Sequence, residues 1–93
     1  MGIAVLSTNR PRLARQVRTE WDPVRERQVL LQPEGVLVLN QTGAAILSLC
    51  DGERTVVEIV EELRGQYNRV AGGEVRDFLA RLVAKRLVEL GDG

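Results

Sequence analysis

The chain has 93 residues, of which 44% are hydrophobic and 28% are charged, and its thirteen basic and thirteen acidic residues cancel. A chain of this length forms one small domain, which leaves little core on which to build a deep catalytic pocket. The zero net charge argues against a protein whose main task is to neutralise phosphates. The absence of histidine removes the commonest general base and metal ligand.

The beginning of the chain predicts an irregular arm followed by a strand. Residues 1–12 are expected to form an N-terminal arm, and residues 13–93 the folded domain. The arm opens with a short apolar run that has neither the basic start of a signal peptide nor the length of a membrane span, so we expect a cytoplasmic protein. Alternating residues over Val17–Trp21 predict the first strand.

Two further strands are predicted to form a hairpin. The β-rich runs Gln28–Gln32 and Val36–Leu39 are separated by Pro33-Glu34-Gly35, in which proline has a fixed φ and glycine can adopt a positive one. Both faces of this hairpin are apolar, because alternate side chains of a strand point to opposite faces. In the first run Val29 and Leu31 point one way and Leu30 the other, and in the second run Val36 and Val38 point one way and Leu37 and Leu39 the other.

Three helices are predicted next, because the apolar period changes from about 2 to about 3.6 residues after Asn40, the expected N-cap. Asp51-Gly52 is the predicted end of the first helix, and Thr55 and Glu58 have the capping-box spacing that starts the second. A third helix is expected over about Glu74–Arg86, after a loop at residues 68–73 and before a short extended segment at residues 87–90. The expected buried faces are Thr42, Ala45, Ile46, Leu49 and Cys50; Val56, Ile59, Val60, Leu63 and Tyr67; and Val75, Phe78, Leu79, Leu82, Val83 and Leu87.

The order of these elements predicts an α+β fold, with a three-stranded antiparallel sheet followed by a three-helix cluster in a winged-helix-like arrangement. Three short helices can cover only one apolar face of the hairpin. The other face or the sheet edge is expected to meet the N-terminal arm, a strand added by a partner chain, or a second copy of the chain in an edge-to-edge dimer.

No catalytic residue, metal site or cofactor is predicted. Ser7 and Ser48 have no histidine to activate them, and the sequence contains neither a G-x-G-x-x-G motif nor a phosphate-binding loop motif. Cys50 is the single cysteine and lies on the apolar face of the first helix, so it is expected to be a buried structural thiol. We therefore expect a binding protein and not an enzyme.

Several short motifs resemble, in the same order, the coenzyme PQQ synthesis protein D family. They span residues 10–90 and comprise Leu30–Gly35 with Leu39-Asn40, Ala45–Gly52, Thr55-Val56, Glu58–Val60, Phe78-Leu79 and Leu82. The resemblance implies a winged-helix-like recognition element for ribosomally made precursor peptides. It further implies that the protein binds the PQQ precursor peptide and presents it to the radical SAM enzyme that cross-links its Glu and Tyr.

In proteins of this type the peptide lies along the third strand, in the groove toward the third helix. Carried over to this sequence, the resemblance implies a peptide-binding set made of Val36, Leu37, Val38, Leu39, Leu79, Val83 and Arg86. Two other functions stay open. One is a purely structural or oligomerisation domain. The other is a winged-helix nucleic-acid binder, which would use the charged residues of the third helix, Glu74, Arg76, Asp77, Arg81, Lys85 and Arg86.

Overall fold

The elements follow one another in the order β-β-β-β-α-α-α-β in a computed structural model, which describes residues 4–66 and 72–91. Their bounds are β1 Arg10–Leu13, β2 Arg18–Asp22, β3 Arg27–Gln32, β4 Gly35–Val38, α1 Gln41–Ser48, α2 Val56–Gln66, α3 Gly72–Ala84 and β5 Val88–Gly91. Tyr67, expected on the second helix, and residues 68–71 of the expected loop lie outside the described residues.

The predicted antiparallel sheet is formed by β2, β3 and β4 in that order. In the β3–β4 hairpin Gln32 pairs with Gly35, so Pro33 and Glu34 alone form the turn. Gly35 has a φ of 148°, a conformation that residues with a side chain rarely adopt. The α+β architecture expected from the sequence is confirmed, and each of these strands begins and ends within one residue of its predicted bounds.

A second, two-stranded sheet joins the two ends of the chain. β1 pairs antiparallel with β5, with Arg12 opposite Glu89 and Leu13 opposite Val88, and the Arg12 and Glu89 side chains form an ion pair at 2.9 Å. β5 confirms the expected extended segment. The expectation of an irregular arm over residues 1–12 is wrong for residues 10–12, which belong to β1. Their partners in β5 are residues 89–91, near the other end of the sequence, so no local pattern could reveal the pairing.

α1 begins as predicted, because the Oδ1 atom of Asn40 accepts a hydrogen bond from the Gly43 N–H at 2.6 Å. It ends at Ser48, before the predicted Asp51-Gly52 stop, and Leu49 is its C-cap. Gly52 has the expected positive φ, at 81°, but its N–H donates to the Pro11 carbonyl at 2.9 Å. Gly52 therefore turns the chain back toward β1 and does not cap the helix.

The predicted capping box of α2 is confirmed. The Thr55 N–H donates to Oε1 of Glu58 at 2.8 Å, and the Glu58 N–H donates to Oγ1 of Thr55 at 3.2 Å. The hydrogen bond from the Thr55 backbone is the first cause that holds the pKa of Glu58 below its ordinary value. Because this pKa is lowered in the folded state, ionised Glu58 contributes to the stability of the fold at a pH above its ordinary pKa. This contribution to stability is lost as the pH falls through the pKa of the folded state.

The core is aliphatic, as predicted, and lies between one face of the three-stranded sheet and the helices. Side chains that are essentially inaccessible come from every layer: Leu30 from the sheet, Ile46 from α1, Val56, Ile59 and Leu63 from α2, Val75 and Leu79 from α3, and Val88 from β5. Leu39 is buried beside them. The helices therefore cover the sheet face that carries Leu30, Leu37 and Leu39, which we call the inner face.

Candidate functional site

The edge of the three-stranded sheet at β4 has backbone groups available for binding. β4 is an edge strand, since the strand order is β2-β3-β4. The Leu39 N–H donates to the Gln28 carbonyl at 3.0 Å, so the backbone groups of Leu39 point toward β3. These groups alternate along an antiparallel strand, so those of Leu37 also point toward β3, and those of Val36 and Val38 point out of the sheet. The edge therefore presents the N–H and C=O groups of Val36 and Val38.

A groove with a cavity volume of about 210 Å³ runs between this edge and α3. Its lining comes from both sides: Leu37, Val38, Leu39 and Asn40 from the strand side, and Phe78, Arg81, Leu82 and Lys85 from the helix side. The residues on the helix side are three or four positions apart and so share one face. The groove combines apolar side chains with two cations from the end of α3, next to an open strand edge.

The structure brings together only part of the predicted peptide-binding set. Within the strand segment Val36–Leu39, the last three residues line the groove and Val36 lies beside them on the edge. Leu79 is 0% exposed and packs in the core, so its side chain is not part of the groove surface. Val83 is half-buried and outside the lining, and Arg86 lies beyond the end of α3.

The four helix-side residues of the groove were all missed by the sequence analysis as binding residues. Phe78 and Leu82 were expected only in the core, and Arg81 and Lys85 were considered only as nucleic-acid contacts. The signal was present in their spacing, because Phe78, Arg81, Leu82 and Lys85 fall on one helical stripe next to the core stripe of Val75 and Leu79. Which of the two stripes faces β4 depends on how α3 packs, and the sequence does not contain that information.

The second apolar face of the hairpin, which we call the outer face, is exposed on β4 but not on β3, where Val29 is 3% exposed and Leu31 is half-buried. Val29 pairs with Val38 and Leu31 with Val36 across the strands. Val36 is 52% exposed and Val38 is 44% exposed. The described part of the N-terminal arm lies elsewhere, against the start of α2, where the Val56 and Val57 N–H groups donate to the Asn9 and Ser7 carbonyls at 2.9 and 3.1 Å.

A larger cavity, of about 780 Å³, lies at the opposite side of the sheet, between β2 and α1. Its lining is mixed in polarity and consists of Thr19, Trp21, Glu26, Arg27, Gln28, Asn40, Gln41, Ala44, Ala45 and Ser48. The side chain of Trp21 is exposed there. The cavity contains one acid, Glu26, and one base, Arg27, so their charges cancel and its chemistry indicates no particular ligand.

The thiol of Cys50 is structural, as predicted. It is buried and donates to the Ile46 carbonyl at 3.3 Å. Burial, and after it the charge of Asp51, raises the pKa of this thiol to about 12, so it is protonated at neutral pH. Residues 4–66 and 72–91 contain no group of three or more His, Cys, Asp and Glu residues that could hold a metal ion. None of the helices within these ranges combines the length and the apolar character needed to span a membrane.

A small sheet with an open edge strand, backed by helices and flanked by a groove, is the arrangement of a peptide-recognition module that accepts an added β-strand. A solved structure with this fold is the solution NMR structure of the PqqD truncation of Methylobacterium extorquens PqqCD, described as a functional and stand-alone recognition element for ribosomally synthesised and post-translationally modified peptides. The two share a TM-score of 0.74 and 37% sequence identity, over 92% of this chain and 95% of that one. The family model Coenzyme PQQ synthesis protein D (PqqD) matches residues 27–88. The chain belongs to this family.

Two curated relatives support the same assignment. A protein of Methylococcus capsulatus is 43% identical over 66 residues, which cover 68% of this chain and 69% of the relative. A protein of Stutzerimonas stutzeri is 38% identical over 85 residues, which cover 89% of this chain and 92% of the relative. Both relatives are named PqqA binding protein.

Proposed function

We propose that this protein binds the PQQ precursor peptide as an extended strand along β4 and presents it to the radical SAM enzyme that cross-links its Glu and Tyr. The observation that carries the proposal is the open edge of β4, where Val36 and Val38 direct their N–H and C=O groups out of the sheet beside the groove. The relatives named PqqA binding protein support the choice of ligand. The role is one of binding and delivery, and the reaction takes place on the partner enzyme.

A strand added at β4 would use both faces of the edge. Main-chain hydrogen bonds to Val36 and Val38 supply affinity that depends little on sequence. Alternate peptide side chains would enter the groove against Phe78 and Leu82, while the others would extend the outer face next to Val36 and Val38. Peptide residues on the outer side stay accessible to a second protein, which suits a module that presents its ligand.

A proline scan tests strand addition, because proline removes one N–H group and fixes φ. Val38→Pro deletes an outward N–H, so we expect a folded protein whose affinity for the synthetic precursor peptide falls at least about tenfold. Leu37→Pro deletes an N–H that points toward β3, so we expect the hairpin itself to be lost. Peptide titrations followed by amide NMR give both the affinity and the state of the fold.

Thr19→Pro is the matched control, since the same alternation directs the Thr19 N–H out of the sheet at the opposite edge, on β2. We expect it to fold and to bind the peptide with unchanged affinity. Normal peptide binding by a folded Val38→Pro variant would rule out strand addition at β4. Tight binding of a duplex DNA to the wild type, with a steep salt dependence, would favour the nucleic-acid function instead.

Self-association through the sheet edge is the remaining expectation about partners. We propose that a dimer formed at β4 excludes the peptide, since both need the N–H and C=O groups of Val36 and Val38. The peptide-binding form is then the monomer. Sedimentation of the protein with and without saturating precursor peptide distinguishes the two states.

A further inference from the structure

The groove beside β4 carries an uncompensated positive charge. Arg81 lines it from α3 and Lys85 from the turn that directly follows, where the Lys85 N–H still donates to the Arg81 carbonyl at 3.3 Å. The residues that line the groove contain no acid. Among the described residues neither cation takes part in an ion pair, although Asp77 lies one helical turn before Arg81. The whole chain is neutral, so this local excess is a property of the groove and not of the composition.

Placing these two cations together has a cost. Like charges four residues apart on a helix repel each other and destabilise it slightly. The guanidinium carbon of Arg81 lies 5.9 Å from the centre of the Phe78 ring, which keeps the charge along the groove. An anionic group from a ligand would relieve this repulsion. Among peptide side chains, Asp or Glu in the groove should therefore give the most favourable free energy of binding.

The spacing of the helix residues matches that of an added strand. Residues four apart on a helix, such as Phe78 and Leu82 or Arg81 and Lys85, are separated by a rise of about 6 Å. Alternate side chains on one face of a strand are separated by about 6.6 Å. The basic pair is centred three residues, about 4.5 Å, further along the helix than the apolar pair. The long Arg81 and Lys85 side chains can span the remaining difference of about 2 Å, so a peptide side chain packed on the apolar pair places the neighbouring groove-facing side chain near the basic pair.

We infer that the groove selects an extended peptide segment in which an apolar side chain and an Asp or Glu side chain lie two residues apart on the groove-facing side. The apolar side chain packs on Phe78 and Leu82, and the carboxylate lies between Arg81 and Lys85. This inference rests on the proposed strand addition at β4 and names the class of peptide that the edge accepts.

The test uses the whole protein and a fluorescently labelled synthetic PQQ precursor peptide. The double variant Arg81→Gln/Lys85→Gln removes both charges and keeps hydrogen-bonding side chains at two exposed positions. Its affinity at low salt should fall about fivefold or more, because two ion-pair contacts are lost. Between about 25 and about 250 mM NaCl, the wild type should lose affinity more steeply than the variant. Arg76→Gln is the matched control, since Arg76 is an exposed cation of α3 that does not line this groove.

Peptide variants make the test independent of protein folding. Each Asp and Glu of the precursor peptide is changed in turn to Asn or Gln. One such change should weaken binding to the wild type as much as the double variant does, and should cause no further loss when combined with it. If every amide peptide and the double variant bind with wild-type affinity while Val38→Pro does not bind, the acidic selection is wrong and strand addition stands. If Val38→Pro also binds normally, the proposed function fails together with this inference.

Discussion

Neighbouring residues of α3 have different tasks, as Phe78 and Leu82 show. Both were expected in the core from their helical spacing. Leu82 is 3% exposed, whereas Phe78 is half-buried, and the two together form the apolar part of the groove. A large aromatic side chain that stays partly accessible offers a rigid contact surface for a ligand at a low cost in conformational entropy. Phe78 therefore lines the candidate groove as well as packing against the core.

Truncation of Leu82 tests the packing role directly. Leu82→Ala should lower the free energy of unfolding by about 2–5 kcal/mol, because it leaves a cavity in a small core. Val57→Ala is the control, since Val57 is exposed on α2 and its truncation should change stability by less than about 0.5 kcal/mol. Urea denaturation of both variants gives the comparison. A loss below about 0.5 kcal/mol for Leu82→Ala would show that this side chain does not support the core.

At the scale of the element, the end of α3 explains the position of Arg86. The Arg86 N–H donates to the Val83 carbonyl and the Leu87 N–H to the Leu82 carbonyl, both at 2.9 Å. Arg86 itself has a φ of 62°. This is the Schellman pattern, in which the left-handed position is usually a glycine. Arg86 thus closes the helix and starts the turn into β5, and it does not line the groove.

Replacement by glycine distinguishes a role of Arg86 in ending the helix from a role in peptide binding. The left-handed conformation costs a residue with a side chain about 1–2 kcal/mol, and Arg86→Gly removes this cost. Glycine loses more backbone entropy on folding, which offsets part of the gain, so the variant should be more stable by about 0.5–1 kcal/mol. Peptide affinity should stay unchanged. Arg86→Ala is the control, because it removes the charge without relieving the backbone. Thermal or urea unfolding measures stability, and weaker peptide binding by both variants would restore Arg86 to the binding set.

At the scale of the whole molecule, the β1–β5 sheet ties the two ends of the chain to the core. Leu87 and Val88 are 3% and 2% exposed, and the Ala14 N–H donates to the Leu87 carbonyl at 3.0 Å. Leu87 and Val88 therefore belong to the packed structure, although they follow the helices that form the groove. The groove depends on them indirectly, because β5 follows α3 and fixes where that helix ends.

Removal of the C-terminal segment should destabilise the whole domain. Deleting residues 87–93 exposes the partners of Leu87 and Val88, and the loss of two buried aliphatic side chains should cost about 3–6 kcal/mol. That is a large share of the stability of a small domain. Deleting residues 92–93 alone is the control, because it shortens the chain and keeps β5 whole. An unchanged urea midpoint for the longer deletion would show that β5 is dispensable.

The features that could be predicted from the sequence are those whose partners lie close along the chain. Asn40 and Gly43, Thr55 and Glu58, and the Pro33-Glu34 turn all involve residues within four positions of each other. The residue types at such short spacings already determine the backbone geometry. The α+β class followed from the same local patterns.

The features that were missed depend on contacts between distant segments. β1 is only four residues long and contains a proline, so its pattern is weak until β5 pairs with it. The ends of the first and third helices also shifted, since Gly52 bonds to Pro11 and Arg86 takes the left-handed position. Local propensity could not distinguish these outcomes from the expected ones.

By itself the sequence determined the three-stranded sheet followed by three helices, the aliphatic core, the inert thiol of Cys50 and the two apolar faces of the hairpin, because each follows from residue type and spacing. Only the tertiary structure decided which face the helices cover and which stripe of α3 faces β4. The same packing places Leu79 in the core and Arg81 and Lys85 along the groove. The physical reason is that the rotation of a helix about its axis is set by all of its neighbours together.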